Sequence, residues 1–386
     1  MDFDDTPEQK ALREAVAALG RRYGHEYFVA KAKSGGHQTE LWAEAGKLGY
    51  LGANLPAEYG GAGGGITELA IVAEELAAAG CPLLLIVVSP AIAGTVIARH
   101  GTEQQRRHVL PGIADGSTKV AFAITEPEAG SNFHRLGTVA RRDGDDWLLR
   151  GSKAFISGID ECDLVLVVAR TEDAATGKLK PALFLVPTDA PGLSRTPLEM
   201  EVVAPEKQWL LYLDDVRVPA TALVGGSTDA GLPALFAGLN PERITIAASA
   251  VGTGRYALER AAGYAKARAV WGRPIGTHQG VAHPLAHAQI QVELARLMVA
   301  KAAARYDAGR DLDAGTAANM AKYAAAEASA LAVDTAIQAM GGNGMATEYG
   351  VATLLGVTRV TRIAPVSREM ILNFVAQHVL GQDRSY

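Results

Sequence analysis

Hydrophobic positions along the chain change period twice. In roughly the first 118 residues they recur at steps of three and four, the period of a helix with one buried face. Thr6-Pro7-Glu8-Gln9 opens the first helix with a hydroxyl cap, a proline in the first turn and an acidic residue. The pattern predicts further helices over 41–48 and 67–79, separated by Tyr59-Gly60-Gly61-Ala62-Gly63-Gly64-Gly65. That glycine run follows no clear strand, so it reads as a flexible connection and not as a dinucleotide-binding turn. From about Lys119 the pattern shortens to β-type runs at 164–169 and 182–186. They are bounded by turn clusters at Asp143-Gly144-Asp145 and Thr176-Gly177-Lys178. After Gly225-Gly226 and about Asp229 it returns to long alanine-rich helices, predicted over 244–267, 287–308 and 316–340.

The expected fold is therefore α+β in three domains: helical over 1–118, β over 119–228, and a helical bundle over 229–386. No period of 20–50 residues points to a repeat architecture. Alanine-rich faces let helices approach closely and also bury against other subunits, so a homodimer or homotetramer is expected.

The length of 386 residues agrees with more than one core. A net charge of −5 argues against a nucleic-acid partner. Two cysteines, Cys81 and Cys162, make neither a disulfide framework nor a CxxC pair, so a cytoplasmic setting is expected. The acidic start, Met1-Asp2-Phe3-Asp4-Asp5, lacks the marks of a secretory or transit segment, and the longest apolar run, 82–88, is too short to span a bilayer. His283 and His287 have a metal-ligand spacing, but Pro284 interrupts them and no third ligand joins, so no metal is expected.

Several motifs occur in a fixed order. An apolar run ends in Phe122-Ala123-Ile124-Thr125-Glu126-Pro127-Glu128-Ala129-Gly130-Ser131-Asn132, and Phe155-Ile156-Ser157-Gly158 follows. Pro56-Ala57-Glu58-Tyr59-Gly60-Gly61 and Gly101-Thr102-Glu103-Gln104-Gln105 precede them. Asp214-Asp215-Val216-Arg217-Val218-Pro219, Arg268-Ala269-Val270-Trp271-Gly272 and Gly341-Gly342-Asn343-Gly344 come after. Each is weak alone, because turn serines, helix-ending glycines and exposed arginines are common. In this order along nearly the whole chain they resemble the acyl-CoA dehydrogenase family.

The resemblance implies an FAD enzyme that desaturates acyl-CoA thioesters, with an electron-transfer flavoprotein as acceptor. It places Phe122, Ile124 and Thr125 along the flavin, and Gly130 and Ser131 where cofactor and thioester meet, with the Ser131 hydroxyl also toward the CoA. Phe155 stands where the family commonly has a tryptophan stacked on the isoalloxazine, and Ser157 where it has a threonine near N5. Arg268, Trp271, Ile275 and His278 match the segment that reaches a neighbouring subunit's FAD, the guanidinium suiting a pyrophosphate. Gln338, Gly341 and Gly342 match the loop that receives the adenosine side, and Ser367 and Glu369 keep polar character there. Glu128 and Asn132 depart from the commoner glycine and aspartate.

The family most often keeps its catalytic glutamate where this chain has Pro365, which cannot accept a proton. In some members, those for isovaleryl-CoA and long-chain acyl-CoA, the glutamate lies on an earlier helix directly before an arginine. Asn240-Pro241-Glu242-Arg243 fits that arrangement, making Glu242 the candidate base and Arg243 a candidate substrate contact. Read from the residues alone, Asn240 caps a helix that Pro241 starts, and Glu242 sits in its first turn facing the dipole. Pro365 also removes a backbone N–H that holds the thioester oxygen in the family. Val366 supplies the donor, the correspondence slips by one residue, or the chemistry differs. Two other readings stay open: a flavin oxidase or monooxygenase on the same fold, and a non-catalytic partner subunit.

Overall fold

The protein is described by a computed structural model covering residues 4–173 and 176–384; Met1, Asp2 and Phe3 of the acidic start lie outside the described residues. The chain opens with α1 (Pro7–Ser34), capped as the sequence predicts. Thr6 Oγ1 accepts from Gln9 N at 3.3 Å, and the Gln9 side chain accepts in return from Thr6 N at 3.1 Å. Helices α2 (Thr39–Lys47) and α3 (Ile66–Ala78) follow. A π-helical segment (Val87–Gly94) then runs into α4 (Thr95–His100) and α5 (Glu103–Asp115). The Thr102–Gln105 capping box starts α5, and Gln105 Nε2 also donates to Thr221 O and Leu223 O. One glutamine thus ties the first helical region to the chain leaving the sheet.

The glycine run at 60–65 is not a loose connection. A Cβ on Gly61 would lie 2.1 Å from Leu55 O, and Gly63 N donates to Leu55 O. Asp307, from far along the chain, accepts from Ile66 N at 2.8 Å and Thr67 N at 3.0 Å, capping α3. The glycines are there because the backbone packs too closely for side chains, a constraint that local pattern does not reveal.

Seven strands form one sheet: β1 (Val120–Ala123), β2 (Val139–Asp143), β3 (Asp146–Ser157), β4 (Leu164–Glu172), β5 (Leu179–Pro187), β6 (Leu193–Leu198) and β7 (Gln208–Pro219). The order is β1-β4-β2-β3-β7-β6, with β5 also pairing β4. β1 runs parallel to β4, with Phe122 opposite Leu166; β3 runs antiparallel to β7, with Ser157 opposite Gln208. The predicted β runs are β4 and its partner β5, buried on both faces, which is why they read as continuous apolar stretches.

Beyond short turns the chain enters α6 (Gly231–Ala267), a single helix of 37 residues. A two-stranded ribbon, β8 (Ala269–Val270) and β9 (Arg273–Pro274), leads to α7 (Gln279–Asp307) and α8 (Asp311–Met340). Short helices α9 (Gly342–Met345), α10 (Leu354–Val360) and α11 (Arg368–His378) close the chain. α6, α7 and α8 pack mutually through buried alanines such as Ala248, Ala295 and Ala325. Among the described residues, no helix is long and apolar enough to cross a membrane.

α6 corrects one expectation. It begins at Gly231, so Pro241 lies inside it and Glu242 stands well past the first turn. The helix dipole therefore does not explain that glutamate, because the effect fades within one turn of the end.

Candidate active site

The turn after β1 is held from beneath. Glu126 is buried, and its carboxylate accepts from Gly137 N at 2.5 Å and Thr138 N at 2.9 Å. Lys153 of β3, fully buried, reaches both Glu126 Oε1 at 2.9 Å and Ile124 O at 3.0 Å. The paired charge and the amides hold the Glu126 carboxyl below its ordinary range against the opposing effect of burial, while burial brings Lys153 down to about 8. This pair was not singled out from the sequence. On its platform Phe122 is buried, Ile124 and Thr125 are half-buried, and Gly130 and Ser131 are exposed. Phe133, just beyond Ser131, meets Phe236 of α6 edge-on at 6.3 Å.

Ala154 N donates to Thr125 O at 2.9 Å, which sets Phe155 beside that turn. Phe155 is 57% exposed and has φ 57°, a left-handed conformation uncommon for a bulky residue. A register shift in the β3–β7 pairing between Lys153 and Ile156 accompanies it. The phenyl group thus stands strained and solvent-facing near the end of β3. Ser157, two residues on, is hydrogen-bonded to Gln208 Oε1 at 3.0 Å.

Glu242 is half-buried on α6, and its carboxylate makes no hydrogen bond or ion pair among the described residues. Burial raises its pKa to about 7, opposed by the positive charges of Arg243 and Lys322. Arg243 Nη1 is used within its own helix, on Leu239 O at 3.2 Å and Asn240 Oδ1 at 3.3 Å, while its buried Nε has no partner.

Lys322 enters from α8. It is 1% exposed, its Nζ donates to Val366 O at 2.5 Å, and burial lowers its pKa to about 8. The sequence reading did not single it out, although it shares the inward face of α8 with Ala318, Ala321 and Ala325, all buried. Pro365 follows Ala364 through a cis bond, and the N–H of the next residue, Val366, makes no hydrogen bond among the described residues. Ser367 caps α11, accepting from Met370 N at 3.3 Å, and the exposed Glu369 pairs with Arg368 at 3.2 Å.

The remaining sequence-derived residues lie at the other end of α6. Arg268 is exposed beside a cavity of about 800 Å³ that Tyr264, Met340 and Asn343 also line. Trp271 is 90% exposed with φ 52° and meets the His278 ring edge-on at 6.5 Å. His278 Nε2 is buried without a partner, Ile275 is half-buried and Gln338 is exposed. A Cβ at Gly341 or Gly342 would meet open space, as it would at Gly130.

Three domain signatures match in sequence: acyl-CoA dehydrogenase N-terminal domain over residues 6–117, middle domain over 121–216 and C-terminal domain over 229–380. Acyl-CoA dehydrogenase FadE12 of Mycobacterium tuberculosis is 64% identical over 384 residues, covering 100% of this chain and 99% of the relative. The chain belongs to the acyl-CoA dehydrogenase family. Oxidoreductase activity of that kind comes with the membership. A solved glutaryl-coenzyme A dehydrogenase in complex with glutaryl-CoA superposes with a TM-score of 0.94 at 29% identity, covering 100% of this chain and 98% of the other. A glutaryl-CoA dehydrogenase of Mycobacterium smegmatis in complex with FADH2 superposes with a TM-score of 0.88 at 26% identity, covering 99% and 97%.

Family members bind FAD, and the residues present here fit it. The exposed Phe155 ring, the open approaches at Gly130, Gly341 and Gly342, and the unpartnered His278 Nε2 are features that a flavin nucleotide would engage. In this acyl-CoA dehydrogenase they form two groups. One gathers around Thr125 and Phe155; the other gathers around Arg268 and Gly341, at the far end of α6 from Glu242.

Proposed function

We propose that this acyl-CoA dehydrogenase introduces a double bond between the α- and β-carbons of an acyl-CoA, with Glu242 as base and FAD as hydride acceptor. The observation that carries the assignment is the Glu242 carboxylate: half-buried, without hydrogen-bond or ion-pair partners among the described residues, and pushed up by burial to about 7. A base works best when its pKa is close to the working pH. Glu242 takes the α-proton and becomes a carboxylic acid. The C–H electron pair moves into the new double bond as the β-hydrogen leaves with its own pair. Bound FAD supplies the acceptor for that hydride at its flavin ring. Phe155 offers a stacking face, and Phe122, Ile124, Thr125 and Ser157 line the same end of the sheet. Ser131, exposed above the turn, is placed to meet the CoA portion. With Pro365 lacking an N–H, the free Val366 N–H is the donor offered to the thioester oxygen.

The two groups of cofactor residues point to a shared site. From Glu242 to Arg268 is 26 residues, nearly all helical, or about 39 Å at roughly 1.5 Å per residue. That exceeds the length of one dinucleotide. Arg268, Trp271, Ile275, His278, Gln338, Gly341 and Gly342 thus serve the FAD of a second copy, in a homodimer or homotetramer. Ser367 and Glu369 stand nearer Glu242, and their local partners leave them a secondary part in nucleotide contact. Reduced, buried Cys81 and Cys162 suit a cytoplasmic enzyme passing electrons to an electron-transfer flavoprotein.

Anaerobic mixing with acyl-CoA thioesters of short, branched and long chains tests the reading. The matching substrate bleaches the flavin absorbance, and Glu242→Gln abolishes bleaching while retaining FAD. Normal reduction in that variant removes Glu242 from the role. The missing N–H at Pro365 supports a second reading, an oxidase. Rapid reoxidation of the reduced enzyme in air with peroxide release would favour it.

A further inference from the structure

We propose that Lys322 is a positioning residue for the deprotonation step, its buried ammonium at once holding the Val366 carbonyl and facing the Glu242 carboxylate with positive charge. The inference rests on Glu242 being the base, and it adds a group from a different helix with two separable tasks.

The first task is structural. The segment 362–368 is fastened to α8 at two points. Glu327 pairs with Arg362 Nη2 at 2.8 Å and Arg368 Nη1 at 3.6 Å, and Lys322, five residues earlier, donates to Val366 O at 2.5 Å. Glu327 fixes the two ends of the segment, and Lys322 fixes its middle, beside the peptide whose N–H is free. A lysine ammonium aimed at one carbonyl sets which way the Pro365–Val366 segment presents that donor. Preorganised donors matter because a misdirected one loses most of its effect on the transition state.

The second task is electrostatic. An ammonium 1% exposed on α8 is costly to bury unless something compensates it. Among the described residues its one hydrogen bond goes to a neutral carbonyl, and it makes no salt bridge. The charged groups that act on it are Arg243 and Glu242 of α6, Glu327 of α8 and Glu369 of α11. Those that act on Glu242 are its neighbour Arg243 and Lys322. Arg243 is turned into its own helix through Leu239 O and Asn240 Oδ1, whereas Lys322 acts on Glu242 from α8, which packs along α6 and sets Gly315 against the Asn240 side chain. A carboxylate facing apolar surroundings alone would stay protonated at neutral pH, and the facing ammonium keeps part of the population ionised.

Three variants separate the tasks. Lys322→Gln keeps a donor for Val366 and removes the charge, Lys322→Met removes both, and Glu327→Gln loosens the same segment without touching the charge at Glu242. The readouts are the pH profile of kcat/KM and, independently of turnover, the infrared band of a protonated carboxyl that disappears in Glu242→Gln. In Lys322→Gln the acid limb and the midpoint of that band both move up by about one pH unit, so activity below pH 6 falls roughly tenfold. Lys322→Met shows the same move and a raised KM in addition. Lys322→Arg restores the limb, and Glu327→Gln leaves it in place. If Lys322→Gln and Lys322→Met keep both midpoints at the parent's pH, the proposal is overturned. If Glu242→Gln itself reduces the flavin normally, the base assignment fails instead, a distinct result.

Discussion

Tyr306 donates its hydroxyl to Ala237 O at 3.2 Å, the carbonyl four residues before Pro241 and hence the one that this proline leaves without its helical donor. A residue of α7 thus repairs α6 directly upstream of the proposed base. Tyr306→Phe strips that carbonyl of its partner and should lower the unfolding free energy by about 1–3 kcal/mol. Denaturant titration measures the loss. The local slackening should also slow anaerobic flavin reduction, whereas an unchanged midpoint and rate would show that α6 carries Pro241 unaided.

Glu242 should weaken the fold for the sake of reactivity. Its folded pKa, about 7, lies above the ordinary 4.5. Between those values the folded protein holds a proton that the unfolded chain has released, so this group's contribution to stability falls as pH rises through that window. Glu242→Gln should therefore exceed the parent in stability by up to about 3 kcal/mol at pH 8 and match it at pH 4. Thermal melts at the two pH values decide this, and equal stability at both would contradict it.

Lys153 and Glu126 form a buried pair beneath the turn after β1. Breaking it from one side leaves a charge uncompensated, so Glu126→Gln should destabilise by about 3–5 kcal/mol. Adding Lys153→Met to that variant should recover part of the loss, giving a large coupling energy in a double-mutant cycle. Additive single effects would mean that the backbone amides of Gly137 and Thr138 hold the turn alone.

Phe155 should matter to the cofactor and not to the chain. With 57% of the residue exposed, Phe155→Ala removes little packing. Loss of a stacking face worth about 0.5–1.5 kcal/mol should weaken FAD binding roughly threefold to tenfold. Fluorescence titration of the flavin-free protein measures this. Phe155→Gly should be no less stable than Phe155→Ala, because glycine accepts φ 57° without strain.

The features written locally in the sequence were legible, and those built by tertiary contact were not. The Thr6 capping box, the buried strands β4 and β5 and the long alanine-rich helices follow from short-range chemistry. The start of α6 was obscured because Asn240-Pro241 imitates a helix beginning, and the hydroxyl that meets the carbonyl freed by Pro241 comes from Tyr306, 65 positions later. The glycines near 60–65 read as loose because their reason, Leu55 O and the cap from Asp307, is remote in sequence. At the site, motif order pointed to Thr125, Phe155 and Glu242. Lys153 and Lys322 went unnoticed because a lysine in a strand or helix reads as a solvated charge until its carbonyl partner is seen.

The span of α6 has a genetic corollary. A chain lacking its carboxylate at 242 still carries an intact Arg268 arm, and a chain with Arg268→Ala still carries its carboxylate. Neither homogeneous preparation should turn over, yet co-expression of the two should yield mixed assemblies in which the damage falls on one site and leaves another whole. Activity rescued by mixing two dead alleles is the outward sign of a catalytic centre that no single polypeptide owns.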